Sequence, residues 1–117
     1  MTVAATVFFL LVASHFFVDF ALQGNSVAAT AKNKFIEPVT FGIPWQYWML
    51  GHVFAHGLFV AVFTQNPFIG LAEVIFHSIV DYMKCAKWIG IHTDQFLHIT
   101  SKVVWVILYF QMKEYMQ

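Results

Sequence analysis

Charge is scarce in this chain, and the scarcity sets its class. Only 10% of its 117 residues are Asp, Glu, Lys or Arg, while 60% are hydrophobic. A soluble domain is typically about 45–50% apolar and about 25% charged. So few polar side chains cannot clothe a water-facing surface, and the mean hydropathy of +0.70 agrees. We read residues 1–117 as a single integral-membrane domain whose partner is the lipid bilayer. An excess of basic charge is also missing: six basic side chains stand against six acidic ones. Without a basic patch there is no electrostatic footprint for nucleic acid, and none is expected as a partner. Cysteine is nearly absent. The lone Cys85 excludes an internal disulfide, leaves the redox compartment unmarked, and reads as packing. No basic segment precedes the first apolar run, and Asp19 interrupts that run, so it is expected to be a retained span rather than a cleaved signal. A His-Glu-x-x-His motif is missing too, which excludes the zinc-protease helix. No repeat or low-complexity segment is evident.

What the chain does have is aromatic and aliphatic bulk, with 14 Phe, 4 Trp and 4 Tyr. Four apolar stretches, at about 3–22, 46–64, 68–87 and 94–112, approach the roughly 20 residues that one bilayer crossing needs. The expected fold is all-α: a four-helix transmembrane bundle, up-down-up-down, with a polar first loop holding a short interfacial helix around residues 26–34. Gln23-Gly24-Asn25 reads as the stop of the first helix. Gln65-Asn66-Pro67 reads as a tight turn, with Pro67 in the first turn of the third helix. Thr93 or Asp94 is a candidate cap for the fourth. Trp45, Tyr47 and Trp48 suit the membrane–water interface.

Each span carries a polar pair at i, i+4 spacing: His15/Asp19, His52/His56, His77/Asp81 and Asp94/His98. Residues four apart share one helix face. In the third span Glu73 lies one turn before His77, so Glu73, His77 and Asp81 form one polar stripe. In the fourth, Lys102 extends the stripe of Asp94 and His98. The pairs sit at the C-terminal ends of the first and third spans and in the N-terminal halves of the second and fourth. An antiparallel arrangement therefore brings them to one side, within roughly 9–14 Å of the boundary at about 1.5 Å of rise per residue.

Ionisable groups in a bilayer are costly, face the bundle interior and serve function. Imidazole nitrogen and carboxylate oxygen are ligands for zinc, manganese and iron. Helix bundles hold dinuclear sites of this style. We expect one or two divalent transition-metal ions held by His15, Asp19, His52, His56, His77, Asp81, Asp94 and His98. Glu73 is the candidate general base, though it also suits a group orienting a ligand or one facing a water cavity. Lys102 is the candidate for a buried catalytic role. Lys84 suits snorkelling or an anionic group, and His92 suits a solvated loop. The reaction in view is metal-dependent hydrolysis of a membrane-derived or phosphorylated substrate, a small molecule or a lipid. Two other readings use the same residues: a proton or ion relay, and a structural polar layer that fixes helix register in a chain open to homo-oligomer formation.

The segments His15-Phe-Phe-Val-Asp19-Phe20-Ala-Leu22-Gln23, His77-Ser-Ile-Val-Asp81-Tyr-Met-Lys84 and Asp94-Gln95-Phe-Leu-His98 followed by Trp105 resemble the small bacterial and phage membrane proteins grouped as domain of unknown function 3307. That resemblance covers nearly the whole chain. It implies a small multi-span protein of the bacterial inner membrane and implies no activity. The His/Asp-bearing spans are also similar in style to membrane-bound metal-dependent hydrolases. Lys32, Lys34, Lys84 and Lys87 flank one side, and Lys113 the other, so the positive-inside tendency places the polar layer toward the cytoplasm.

Overall fold

The computed structural model describes residues 1–23, 27–35 and 42–116. Every regular element among them is helical. Helix α1 (Val3–Phe16) runs directly into a π-helical stretch (Phe17–Gln23). The others are α2 (Val27–Ala31), α3 (Trp45–Thr64), α4 (Pro67–Cys85) and α5 (Ile91–Tyr115). The expected stop at Gly24-Asn25 lies outside the described residues. The short helix expected around residues 26–34 is α2.

Local chemistry sets the boundaries. Thr2 caps α1, its hydroxyl accepting from the Ala5 N–H at 3.1 Å. Gln65, at φ +52°, ends α3 in the left-handed region. Asn66 then caps α4, its side-chain oxygen accepting from the Phe68 and Ile69 N–H groups, with Pro67 in the first turn as the sequence predicts. The start of α5 differs from expectation. Its cap is Gly90, with no side-chain cap bond, and Thr93 and Asp94 lie inside the helix. Asp94 turns into the molecule toward His98 and Lys84, which removes it from capping. His92 is exposed, on the first turn of α5 rather than in a loop.

The four long helices close a ring. α1 packs on α3 and α5, and α4 packs on α3 and α5, the α3–α4 contact being the most extensive. Two glycines allow that contact. A Cβ on Gly57 would lie 2.4 Å from Val74 Cγ2 and 2.8 Å from the Gly70 carbonyl oxygen, and one on Gly70 would lie 2.6 Å from Ala61 Cβ. Gly70→Ala is accordingly expected to push the helices apart and lower stability by about 1–3 kcal/mol, read by thermal unfolding in detergent. Gly51→Ala, where a Cβ meets nothing within 4 Å, serves as the neutral control.

The interior is polar at one end and apolar at the other. Val7, Leu11, Val60, Ile69 and Trp105 form the apolar half. In the polar half Glu73, His77, Asp81, Asp94 and His98 are all 0% exposed. The outer surface carries the opposite chemistry: Leu58 is 63% exposed and Phe68 72%, with Phe54, Ile75 and Ile107 also outward. Charge inside and hydrocarbon outside inverts the order of a water-soluble domain. Two helical stretches, Val3–Gln23 and Trp45–Thr64, are long and apolar enough to cross a membrane. α4 and α5 are comparable in length, but their inward stripes of Glu73, His77, Asp81, Asp94, His98 and Lys102 dilute their hydropathy.

Candidate metal centre

The eight ligand candidates meet in one buried cluster. α1 delivers His15 from its last turn, and the π-helical stretch delivers Asp19. The Phe17 N–H reaches both the Ala13 and Ser14 carbonyls where the winding changes. π-Helical turns are rare and recur at functional sites, where they re-aim a side chain. α3 supplies His52 and His56, α4 supplies His77 and Asp81, and α5 supplies Asp94 and His98.

The imidazoles converge through Nε2. His56 Nε2 lies 2.8 Å, His52 Nε2 3.2 Å and His77 Nε2 3.6 Å from Asp19 Oδ1. His15 Nε2 lies 3.4 Å from Asp19 Oδ2. On the other side, His98 Nε2 lies 3.0 Å from Asp81 Oδ1 and 3.2 Å from Asp94 Oδ1. His77 stands between the two carboxylates, its Nε2 also 3.5 Å from Asp81 Oδ1. Its ring stacks on His56 at 3.7 Å and on His98 at 3.9 Å between centroids. Four ligands about 2.1 Å from a tetrahedral ion stand about 3.4 Å apart. The observed spacings bracket that edge.

Three ligand sets, each with its atoms within 4.8 Å of one another, could hold an ion: Asp19, His52, His56 and His77; His15, His77 and His98; and Asp19, Asp94 and His98. Asp19, His77 and His98 each belong to two sets, so neighbouring positions share ligands. Asp81 belongs to none of these sets; His98 and His77 approach its Oδ1, and Lys32 binds its Oδ2 at 2.6 Å. Within the cluster His52 Nε2, His77 Nε2 and Asp94 Oδ1 are buried without a hydrogen-bond partner among the described residues. Such groups are costly to bury unless something satisfies them.

Glu73 and Lys102 lie behind the ligands. Glu73 Oε1 accepts from His77 Nδ1 at 3.0 Å and from Lys102 Nζ at 2.6 Å, and Oε2 accepts from Trp105 Nε1. Both oxygens are engaged, and neither reaches the converging Nε2 atoms. Its carboxylate holds the tautomer and direction of His77, one of the roles the sequence leaves open to Glu73, as carboxylates behind metal-bound histidines do. Lys102, its side chain 1% exposed, neutralises Glu73.

Sequence reasoning missed two contributors. Gln95 joins three groups: its amide oxygen is 2.9 Å from His15 Nε2, and its nitrogen donates to Asp19 Oδ2 and Asp94 Oδ2, each at 3.0 Å. Its place directly after Asp94 was the available signal. Lys32, counted from the sequence only as a flanking charge, is 4% exposed and bound to Asp81. It arrives from α2, outside the four-residue periodicity, so no spacing announced it. Lys84 lies half-buried, 3.5 Å from Asp94 Oδ2. Comparison with known families, with curated proteins and with solved structures finds no match.

Proposed function

We propose that this chain is a four-helix integral-membrane protein that binds one or two divalent transition-metal ions in the His/Asp cluster and uses them for hydrolysis. The carrying observation is the convergence of five buried Nε2 atoms on Asp19, Asp81 and Asp94, with His52 Nε2, His77 Nε2 and Asp94 Oδ1 close to opposite groups yet making no hydrogen bond among the described residues. Neutral imidazole and carboxylate are the donor chemistry of zinc, manganese and iron. The outward hydrocarbon surface supports four crossings, α4 and α5 included. Lys34 and Lys87 at the cluster end, against Lys113 at the other, support a cytoplasmic orientation.

Held by these His and Asp side chains, a divalent ion would supply Lewis-acid chemistry and would lower the pKa of a nearby water toward neutral pH. Asp19 and His77 hold the ligand set together. Gln95 fixes Asp19 and Asp94, and Glu73 fixes His77. For a phosphate ester, the water oxygen bonds to phosphorus, the bond from phosphorus to the leaving alcohol breaks, and a water proton ends on the leaving oxygen. A relay across the membrane is disfavoured by the apolar half, where Val7, Leu11, Val60, Ile69 and Trp105 interrupt the polar chain.

Elemental analysis of detergent-purified protein is expected to give one or two ions per chain. In His52→Ala/His56→Ala the ratio is expected to collapse, since loss of a supporting group alone weakens metal affinity by about 10–100-fold. Absence of metal after reconstitution with zinc, manganese or iron removes the reading.

A further inference from the structure

Two cavities reach the histidine cluster along the π-helical stretch, and their chemistry differs. One lies between that stretch and α2, α4 and α5, has a volume of about 460 Å³, and is lined by Asp19, Lys32, Lys84 and Gln95. The other lies between it and α3, has a volume of about 270 Å³, and is mostly apolar, with Val18, Leu22, Gly51 and Ala55 in its walls beside the polar groups of Gln23, Tyr47, Trp48 and His52. Gln23 lines both. Asp19 in the first and His52 in the second stand 3.2 Å apart. A single molecule with a charged head and a hydrocarbon tail therefore meets one centre from two sides.

Charge selects the head. Four buried carboxylates (Asp19, Glu73, Asp81, Asp94) face three lysines (Lys32, Lys84, Lys102), leaving one negative charge with neutral histidines. One divalent ion turns that into one positive charge, and two ions into three. With two ions bound, a dianionic phosphomonoester offsets the surplus of three more fully than a phosphodiester, whereas the surplus of one left by a single ion matches a monoanion; Lys84, partly exposed and 3.5 Å from Asp94 Oδ2, lines the same cavity. The tail cavity carries its own signal. Trp48 Nε1 is buried with no hydrogen-bond partner among the described residues, and an indole N–H only donates. An ester carbonyl at the top of an acyl chain supplies the acceptor. Gly51 leaves the wall open, since a Cβ there meets nothing within 4 Å.

The geometry points to an anionic membrane lipid as the ligand of this centre, its phosphomonoester head beside Lys32 and Lys84 and its acyl chain along Trp48 and Gly51. The inference deepens the hydrolase reading and rests on it for the chemistry at the head. The test uses the full chain in nanodiscs with phosphatidic acid carrying a diazirine in its acyl chain. After irradiation, adducts are expected on the groove residues Tyr47, Trp48, Gly51, His52 and Ala55. They should fall about tenfold in Gly51→Leu or in Trp48→Phe, the factor that about 1.4 kcal/mol of binding represents. Unlabelled phosphatidic acid should compete, while phosphatidylcholine of the same chains and inorganic phosphate should not. Adducts spread over lipid-facing Phe54 and Leu58, indifferent to both substitutions, overturn the inference, as does equal competition by phosphatidylcholine. Metal is measured on the same samples. Groove adducts on protein without metal keep the lipid site and remove the hydrolase reading, and metal-loaded protein without groove adducts does the reverse.

Discussion

Asp19→Asn is expected to strip the centre of metal and leave the fold standing. Asp19 is the carboxylate on which His52, His56 and His77 converge through Oδ1, while Oδ2 holds Gln95 and approaches His15. Asparagine keeps the shape and one oxygen but loses the charge that offsets a dication. The other buried carboxylates have lysines: Glu73 has Lys102, Asp81 has Lys32 and Asp94 has Lys84. Asp19 pairs with no lysine among the described residues, so without metal it is the least compensated charge in the interior. Removing an uncompensated buried charge relieves the metal-free fold, whereas removing a ligand weakens the loaded one. The melting temperature of metal-free Asp19→Asn should therefore equal or exceed that of metal-free wild type. Wild type should gain about 2.7 kcal/mol at a metal concentration 100-fold above its Kd, while the variant gains almost nothing at that concentration. If the cluster were only a structural polar layer, Asn would suffice, and the two proteins would respond to metal alike.

Lys102→Met is expected to be the most destabilising single change in the chain. It leaves Glu73 as a charge in a fully buried position, with only His77 and Trp105 to bond it. Breaking a buried pair in this way typically costs about 3–5 kcal/mol. A whole domain is commonly stable by about 5–15 kcal/mol. Glu73→Gln/Lys102→Met removes both charges and should recover most of the loss in a thermal unfolding series. The double variant also separates support from chemistry. His77 keeps an acceptor in the amide oxygen that replaces the Glu73 carboxylate, so metal should still bind, weakened by about 10–100-fold through the poorer partner behind the imidazole. Full loss of metal with full recovery of stability would place Glu73 among the ligands instead.

The i, i+4 spacing made most of the cluster legible, because α3, α4 and α5 are ordinary helices on which that spacing means one face. The side chains of those pairs contact one another at one end of the helices. Roles were less legible than places. Spacing puts Glu73 on the His77 face, but only the positions of Lys102 and Trp105 one helix away decide that its oxygens are occupied. Lys32 was illegible for a different reason: a cation in a polar segment looks solvated until α2 is seen to lay it over Asp81. Asp94 was open between cap and ligand; it does not cap, since Gly90 starts α5 and the Asp94 carboxylate turns toward His98 and Lys84.

Length, rather than composition, is what the stretch from Phe17 to Gln23 constrains. An α-helix turns by about 100° per residue. The wider π winding fixes the phase between the helix that ends at Phe16 and the Asp19 that follows. In an ordinary helix one added residue would swing everything upstream by about 100°. The wider π winding spreads that turn over Phe17–Gln23, so His15 and Leu11 keep to the interior while Asp19 reaches the same cluster. Phe17, Phe20 and Leu22 point outward and accept other apolar side chains. The segment is thus permissive to exchange of those side chains, and its winding takes up a residue of slack without turning the helix before it.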